Sequence, residues 1–501
     1  MDTPSSVLQA LRRESLDIYN RLHSIADDAL FVAHVHAFYS TVPLAPNLRC
    51  GAWYADPVIA STVPAYFKST DGHFNNWGFN LRRPNLQLLP LIAQRHSIVL
   101  VDSTRAGKRI PDALSKTVPI WCAVLNRAIA RRFPGPEKDA WDTALYTPPA
   151  AVSAQEHHQI ELRIDAWADA LFNSSFELPA LPAPLRPFWI TPATTTFPSV
   201  PTSDPPPFLP IICLSASRQS EDARRTGGFA YIQGSGDDHE LWGLGLTPTH
   251  YWRHRPALLA ASRSELPNLI KTILTTDSSS SSSNSTVSEA NANGSRVTPI
   301  TKVDGRMKLC TFAELERVGP LESSSSAYVL LSATREGEGS TKIPSGPALT
   351  LPLAPRIKTH LTQTLLPRAL PFIGAQLARG RSVCVVCGGE EEVGDEGTAV
   401  LLAALVVFFD DDGRVRDLGG GHPSAQVEVG AERELLLGAG AGAGMEETKE
   451  VLTVVIPPET DKARIRTRLE WIIACRAGVN PARATLKRVN EFLMSAGRKG
   501  R

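Results

Sequence analysis

Residues 97–132 read SIVLVDSTRAGKRIPDALSKTVPIWCAVLNRAIARR, and this stretch decides the fold class. Residues 97–101 form an apolar run that is typical of a strand buried on both faces of a parallel sheet. Pro111 precedes a helical pattern over residues 112–132, whose apolar side chains lie mostly on one side. A buried strand that leads through a polar loop into a helix predicts an α/β protein.

The same signals recur on either side of this stretch. Residues 5–28 predict an amphipathic helix, and residues 210–214 predict a second buried strand. Farther along the chain, residues 381–387 predict a strand, and helices are expected at 398–408 and 480–494. The chain therefore contains strands and helices in both halves, which favours a mixed α/β architecture throughout.

At 501 residues the chain exceeds what one hydrophobic core usually supports, so several domains are expected. Residues 278–283 are an unbroken serine run, which is typical of disorder. We predict four parts: an N-terminal domain at 1–275, a Ser-rich disordered insertion at 276–296, a connecting region with loop expansions at 297–344 and a C-terminal domain at 345–501.

Composition excludes some classes of function. The net charge is only +1, so any nucleic-acid site must be a local patch of cations. No apolar run is long enough to cross a membrane, and the first residues lack the apolar core of a signal peptide. The odd number of cysteines, seven, argues against a disulfide framework. We therefore expect no membrane partner, a reducing compartment and a cytoplasmic location.

The loop after the first buried strand carries side chains that suit an anionic ligand. Carboxyl ends of strands are where α/β folds place their ligands. The loop is similar to the diphosphoribosyl loop of ordinary phosphoribosyltransferases, although it has one acid where that family has two. A solvated charged loop is the alternative interpretation. The candidate residues are Asp102, Ser103, Thr104, Arg105, Lys108 and Arg109.

A second candidate segment packs six polar or flexible residues together at 68–73. An ammonium group, hydroxyls and backbone amides near a glycine suit a phosphate, and a carboxylate or imidazole can act as a general base. The alternative is a polar loop with an Asp-Gly turn. The candidate residues are Lys68, Ser69, Thr70, Asp71 and His73.

A third candidate segment, at 231–242, places two adjacent acids and a histidine in a glycine turn. Mg²⁺ needs only one or two protein carboxylates when substrate oxygens complete its coordination. Asp237 and Asp238 are therefore candidate metal ligands, and His239 is a candidate substrate contact. A tight turn between strands is the alternative.

The strand at 381–387 ends in a cysteine that is followed by a short loop and a helix, as in the phosphate loop of protein tyrosine and dual-specificity phosphatases. That chemistry needs a thiolate and an arginine six positions after the cysteine. The sixth position after Cys387 is Val393, which is not an arginine. The glutamates at 390–392 would also repel phosphate. Cys384 and Cys387 have no second cysteine pair with which to bind zinc, so reduced, partly buried thiols are expected.

Cations cluster in two further places and can contact an RNA backbone. The solvated faces of helices are the alternative for many of them. The candidates are Arg82, Arg83, Arg464, Arg466, Arg483 and Lys487.

The order and spacing of these segments resemble those of the initiator-tRNA phosphoribosyl transferases of fungi and plants. The matching strings span both halves of the chain and leave out the serine-rich and glycine-rich expansions. They are Arg49–Gly51 with Trp53–Tyr54, Tyr66–His73 with Trp77, Val101–Trp121, Gln233–Trp242, Gly245–Pro248 and Asn480–Met494.

The resemblance implies an activity. Members of this family transfer a 5-phosphoribosyl group from 5-phosphoribosyl 1-diphosphate to the ribose 2'-hydroxyl of adenosine 64 in the initiator methionine tRNA. Diphosphate is released, and the modified tRNA is excluded from elongation. The expected partners are therefore that tRNA and that donor, with no DNA, and the diphosphate donor implies Mg²⁺ as cofactor.

The resemblance also implies a fold: an N-terminal mixed α/β transferase domain and a C-terminal α/β domain similar to dual-specificity phosphatases. In the family's C-terminal loop a lysine and a serine are usual, and here Gly389 and Glu392 replace them. This departure argues against phosphate binding by that loop.

The expected roles follow from the chemistry of the transfer. Asp71 is the expected general base with His73 as the alternative, and the cations at 68 and 105–109 are expected to hold the donor's phosphates. A non-catalytic tRNA- or phosphate-binding protein on a degenerate phosphatase scaffold is the alternative function. An active phosphatase ranks third, because the arginine is missing.

Overall fold

The computed structural model describes residues 15–48, 50–105, 107–219, 228–280, 297–318, 325–332, 346–354, 357, 359–388, 393–416, 454–476, 478–479 and 481–495. The chain divides into two compact units, Met1–Ala292 and Asn293–Arg501. No helix among the described residues is long and apolar enough to span a membrane.

The first unit is built on a four-stranded sheet in which all neighbouring strands run parallel. The spatial order is β1-β2-β4-β3. In chain order the strands are β1 (Leu44–Pro46), β2 (Ile98–Asp102), β3 (Leu185–Ile190) and β4 (Leu209–Ser215).

The two strands predicted from apolar runs are confirmed as the central pair, β2 and β4. Every residue of both strands is buried, as continuous apolar runs in parallel sheets require. Asp102 pairs with Ser215 at the last step of the register, so both strands end at the same edge. The loops that follow them are therefore neighbours at one carboxyl edge.

Helices cover this sheet and connect its strands. The long predicted helix at 112–132 is confirmed as a π-helical segment, Ala113–Thr117, continuous with α3. The predicted helix at 5–28 is described only from residue 15, and α1 continues ten residues past the expected end because its apolar face extends to Val35. The helices are α1 (Ile18–Phe38), α2 (Leu88–Arg95), α3 (Val118–Arg132), α4 (Pro136–Asp139), α5 (Ala154–Phe172), α6 (Pro248–Ala260) and α7 (Leu266–Ser280).

The second unit contains a five-stranded sheet with the order β5-β6-β9-β7-β8. Only the β5–β6 pair is antiparallel. The strands are β5 (Thr298–Pro299), β6 (Met307–Cys310), β7 (Ser326–Ser332), β8 (Ala348–Pro352) and β9 (Ser382–Cys387). Residues 297–344, which we expected to be a connecting region, thus supply three of the five strands. β6 and β7 pair with β9, a partner far away in sequence, and β5 pairs with β6.

The helices of this unit lie between and after the strands. The helix predicted at 398–408 is confirmed and begins slightly earlier, and it is buried on all sides from Gly397 to Phe408. The helix predicted at 480–494 is confirmed from Arg483, while its expected cap Asn480 lies outside the described residues, as does most of the serine-rich segment. The helices are α8 (Phe312–Val318), α9 (Leu366–Ala378), α10 (Asp395–Phe408), α11 (Lys462–Cys475) and α12 (Arg483–Ser495).

Candidate functional site

Two of the predicted segments meet at the carboxyl edge of β2. Gly234 has a φ of +68°, and a Cβ atom there would lie 2.6 Å from the backbone nitrogen of Arg105. The side chain of Gln233 donates from Nε2 to the backbone oxygen of Lys108 at 2.7 Å. Nη1 of Arg105 lies 3.4 Å from a carboxylate oxygen of Asp238. The 233–239 and 102–109 loops are therefore packed directly against each other.

The 68–73 segment reaches the same edge from the other side. It forms a 3-10 turn, Ser69–Gly72, that packs on the π-helical segment before α3. The hydroxyl of Thr117 donates to the backbone oxygen of Lys68 at 3.0 Å. A Cβ atom at Gly72 would lie 2.7 Å from the backbone oxygen of Asp112, so no side chain fits there. All three predicted segments thus adjoin residues 102–117.

The carboxylate of Asp112 lies among three basic side chains of this region, a position that was not predicted. Its carboxylate receives the ammonium groups of Lys108 and of Lys116, the latter at 3.0 Å, and His73 Nε2 lies 3.8 Å away. Burial alone would raise the pKa of Asp112, but hydrogen bonds from Lys108 and Lys116 lower it overall. Lys116 also contacts Glu156 at 3.1 Å. The spacing of 108, 112 and 116, four residues each, was the available sequence signal.

Side chains of the 102–109 loop divide into a buried part and an exposed part. Asp102 and Ser103 are completely buried and Thr104 is nearly so, whereas Arg105, Lys108 and Arg109 are exposed. All six are predicted substrate contacts. The first three are covered by protein atoms, because they secure the loop to its neighbours.

Asp102 secures the loop through three hydrogen bonds. It accepts from Asn47 Nδ2 at 2.9 Å, from the thiol of Cys50 at 2.8 Å and from the backbone nitrogen of Ser103 at 2.9 Å. Asn47 also bonds the backbone of Phe67 in both directions. The buried carboxylate therefore links the ends of β1 and β2 to the chain that leads into Lys68.

A second buried carboxyl, Asp28 of α1, lies beneath the loops. It accepts hydrogen bonds from Ser217 Oγ at 2.6 Å and from the hydroxyl of Tyr231 at 2.7 Å. Ser217 Oγ is also 2.6 Å from Ser103 Oγ and accepts from the backbone nitrogen of Gly234. Burial raises the pKa of Asp28 to about 7. Asp28 thus connects the loops after β2 and β4, and no local sequence signal marked it.

Asp71, the expected general base, is held by an ion pair. Nη2 of Arg83 donates to both of its carboxylate oxygens, at 2.8 and 3.1 Å. The Arg83 side chain is only 8% exposed, so it is not available to an RNA backbone in this arrangement. Arg83 is a predicted RNA contact, and in this structure its guanidinium fixes the 68–73 segment. His73, by contrast, is 51% exposed.

The remaining residues of the first two segments are less enclosed. Lys68 and Ser69 are half-buried and Thr70 is exposed, and Lys68 Nζ lies 5.5 Å from the centre of the Tyr66 ring. Arg82, a predicted RNA contact, is half-buried. His239 is also half-buried, with its ring 5.6 Å from that of Trp53.

The candidate metal ligands differ in exposure. Asp237 is 8% exposed, whereas the side chain of Asp238 is 52% exposed and faces Arg105. Within the described ranges, no group of three or more histidine, cysteine or acidic side chains is arranged to hold a metal. In proteins Mg²⁺ is commonly bound by one or two carboxylates with phosphate oxygens of a ligand, so a larger protein cluster is not required.

The cations of the second unit are only partly accessible. Arg464 is 17% exposed and is paired with Asp411 and Glu459. Arg466 and Arg483 are exposed, and Lys487 is 78% exposed with Glu491 at 3.7 Å. Among these predicted RNA contacts, Arg464 forms ion pairs within the domain, while the other three lie at the surface.

Cys387 lies at the end of β9 as the phosphatase comparison predicted, but its surroundings do not activate it. Burial, with smaller contributions from the nearby carboxylates of Glu396 and Asp395, raises the pKa of its thiol to about 11. Cys384 is also buried, 3.4 Å from the sulfur of Cys310. Residues 389–392 of the loop lie outside the described residues. The thiol environment agrees with the expectation that this is not a phosphatase nucleophile.

Comparison with known proteins assigns both halves of the chain. Residues 11–275 match the family model described as the Rit1 N-terminal domain, and residues 354–493 match the Rit1 DUSP-like domain. The chain is 38% identical over 288 residues to the Saccharomyces cerevisiae tRNA A64-2'-O-ribosylphosphate transferase, covering 52% of this chain and 55% of that protein.

A second relative is an uncharacterized protein of Schizosaccharomyces pombe, 37% identical over 290 residues, which are 57% of this chain and 62% of that protein. The chain thus spans less than two thirds of the length of either relative. No solved structure matches the chain. The family models together cover most of the sequence, and we conclude that the chain belongs to the Rit1 family.

Proposed function

We propose that this protein transfers a 5-phosphoribosyl group from 5-phosphoribosyl 1-diphosphate to the ribose 2'-hydroxyl of adenosine 64 in initiator methionine tRNA. The observation that carries the proposal is the convergence of three polar segments at one sheet edge, in a chain of the Rit1 family. The name of the S. cerevisiae relative, tRNA A64-2'-O-ribosylphosphate transferase, supports the same reaction. We expect the reaction to take place in the cytoplasm and to exclude the tRNA from elongation.

The exposed cations beside the site suit the donor. Arg105, Lys108 and Arg109 extend from one loop, and Lys68 lies on the adjoining segment. The donor's diphosphate and phosphate groups are strongly anionic, and guanidinium and ammonium groups form charge-assisted hydrogen bonds with phosphate oxygens. Asp237 and Asp238 would hold Mg²⁺ together with diphosphate oxygens, and the ion would neutralise charge on the leaving group.

The transfer forms one bond and breaks one. The 2'-oxygen of the acceptor attacks C1 of the donor ribose, the C1–O bond to diphosphate breaks, and diphosphate leaves with the bonding electrons. Positive charge develops on the donor ring, as in other glycosyl transfers. The 2'-hydroxyl loses its proton to a base, which we assign to Asp71 or, because it is the more exposed group, to His73.

The acceptor's chemistry explains why RNA and not DNA is the proposed partner. DNA has no 2'-hydroxyl, whereas an RNA helix displays its 2'-hydroxyls in a wide, shallow minor groove. A site at an open sheet edge can reach such a hydroxyl without unstacking a base. We therefore expect tRNA shape to determine specificity more than base edges do.

The test is incubation of the full chain with donor labelled in the ribose and with initiator or elongator methionine tRNA. We expect label in the initiator alone, at adenosine 64. Label in the elongator as well would contradict the proposed specificity. Label in neither tRNA, with binding retained, would replace the transferase by a non-catalytic tRNA-binding protein.

A further inference from the structure

Helix α6 carries a concentration of positive charge that the site described above does not include. Its sequence, PTHYWRHRPALLA, contains two arginines and two histidines and no acidic residue. Over the whole chain the charges nearly cancel, with 52 lysines and arginines against 51 acidic residues. The helix is therefore a local concentration of cations in a chain whose net charge is close to zero.

α6 is attached directly to the edge that bears the site. The indole nitrogen of Trp252 donates to the backbone oxygen of Ala52 at 2.9 Å, in the 3-10 turn Gly51–Trp53. A Cβ atom at Gly51 would lie 2.1 Å from the backbone oxygen of Val101, so this turn lies flush against the end of β2. One tight turn thus separates the helix from the loop that begins at Asp102.

An aromatic layer continues this attachment toward the 233–239 loop. The Trp53 ring lies 5.8 Å from the buried ring of Tyr251 and 5.6 Å from that of His239. The rings of Tyr251 and Trp252 meet edge to face at 5.3 Å. The first turns of α6 are consequently fixed relative to His239 by packing.

The two arginines of α6 differ in their surroundings. The guanidinium of Arg255 lies 5.1 Å from the centre of the Trp252 ring, three residues earlier on the same side of the helix. Stacking on an indole orders an arginine side chain, and the five N–H donors of a guanidinium suit a phosphate. Arg253 is exposed.

We propose that Arg253 and Arg255 of α6 bind the phosphate backbone of the RNA acceptor beside the nucleotide that is modified. A nucleotide whose 2'-hydroxyl enters the site is flanked by phosphates along the minor groove, and a cationic helix one turn from the site is placed to meet them. Guanidinium groups match phosphate geometry in a bidentate manner. This inference rests on the proposed function, because it takes RNA as the acceptor.

A double variant with a matched control tests the surface. Arg253→Gln with Arg255→Gln removes two cations from α6. The control, Arg95→Gln with Arg132→Gln, removes two exposed cations at the amino edge of the same sheet. Arg95 lies at the end of α2, just before β2 begins. Arg132 lies at the end of α3, beyond Asn126, which bonds the first residue of β3. Arg132 also lies over an aromatic ring, Phe172, at 5.1 Å, so the control loses a similar contact.

The measurement is fluorescence anisotropy of labelled initiator tRNA bound to the full chain at several salt concentrations, with the circular dichroism spectrum as a check on folding. For the α6 variant we expect affinity to fall about tenfold or more and the slope of log K against log salt to shrink by about 2. The control should change neither. The KM for the donor should stay the same in both variants.

The outcomes separate the two proposals. If wild-type protein transfers label but the folded α6 variant keeps the wild-type salt slope, the α6 surface is overturned while the transferase assignment stands. If the variant loses the slope but wild-type protein transfers no label, the surface stands and the transferase assignment fails. An equal loss of slope in the control would show non-specific attraction and would also overturn the surface.

Discussion

A strand, a loop and a helix follow one another in each of the two compact units, and these two segments can be compared directly. In the first, buried β2 leads through a loop into the helical segment that begins at Ala113. In the second, buried β9 leads through a loop into α10. In both, the chain leaves the carboxyl end of a parallel strand before it enters the helix.

Their charges are opposite. The first loop exposes Arg105, Lys108 and Arg109. The second leads into a helix whose first residues are Asp395 and Glu396. Asp395 accepts from the backbone nitrogen of Ala482 at 2.9 Å and from the hydroxyl of Thr485 at 2.8 Å, so it joins α10 to the start of α12. The carboxylate of Asp395 therefore packs against α12. A phosphate-binding segment would carry cations in this region instead.

The difference teaches that a strand–loop–helix backbone only offers a place for an anion, while side-chain charge decides whether the anion binds. The loop after β2 exposes the cations that anion binding requires, whereas Asp395 at the start of α10 takes part in packing within its own domain. Substitutions in each segment test whether the two differ in function as their charges predict.

The largest effect is expected at the proposed base of the first unit. Asp71→Asn should lower kcat by about 10²–10⁴-fold, the usual contribution of a general base, with tRNA affinity unchanged. Single-turnover transfer of labelled donor measures the rate, and anisotropy measures the affinity.

Arg83→Met is the matched control, because it breaks the same ion pair but keeps the carboxylate. It should reduce the rate by far less, about tenfold at most. Equal losses in the two variants would mean that Asp71 acts only by positioning the segment. In that event His73→Gln should show the loss of at least about 10²-fold expected for the base.

A smaller effect is expected from the buried acid beneath the same loops. The pKa of Asp28 is raised from 3.8 to about 7, so between these values the folded state binds more protons than the unfolded state. Stability therefore falls as pH rises through this window, by up to about 1.4 kcal/mol per pH unit from this group, and stays lowered above it.

Asp28→Asn should remove this contribution and flatten the pH dependence between about pH 4 and 7. Denaturant unfolding at several pH values, followed by fluorescence, measures the midpoint. Asp139→Asn, at an exposed position of α4, reports the effect of losing one surface carboxylate. An unchanged pH dependence in Asp28→Asn would contradict the raised pKa.

The smallest effect is expected in the second unit. Cys387→Ser should change the transfer rate by less than about twofold, because the thiol is buried and its pKa of about 11 keeps it protonated at neutral pH. Wild-type protein should show no hydrolysis of p-nitrophenyl phosphate that the variant lacks. Phosphatase activity that disappears in Cys387→Ser would overturn the contrast between the units.

Much of the fold could be predicted from short stretches. β2 and β4 were predicted because strands buried on both faces are continuously apolar, and α3 was predicted because its apolar side chains recur at helical spacing. The strands between 297 and 344 were missed. Their apolar runs are short and interrupted, and sheet pairing stabilises them: β6 and β7 pair with β9, and β5 pairs with β6.

The sequence by itself determined the family, the central strands and helices, and the three polar segments, since these depend on residues close together in the chain. Which of these side chains are buried and which are exposed depends on the tertiary structure. Asp28 bonds Ser217, 189 residues away, and Gly236 bonds Tyr54, 182 residues away. Arg83 is buried against Asp71, whereas Arg105 stays exposed, although both are cations in polar loops. Burial and partnership depend on which loops meet at the sheet edge, and that meeting is set by strand order and register.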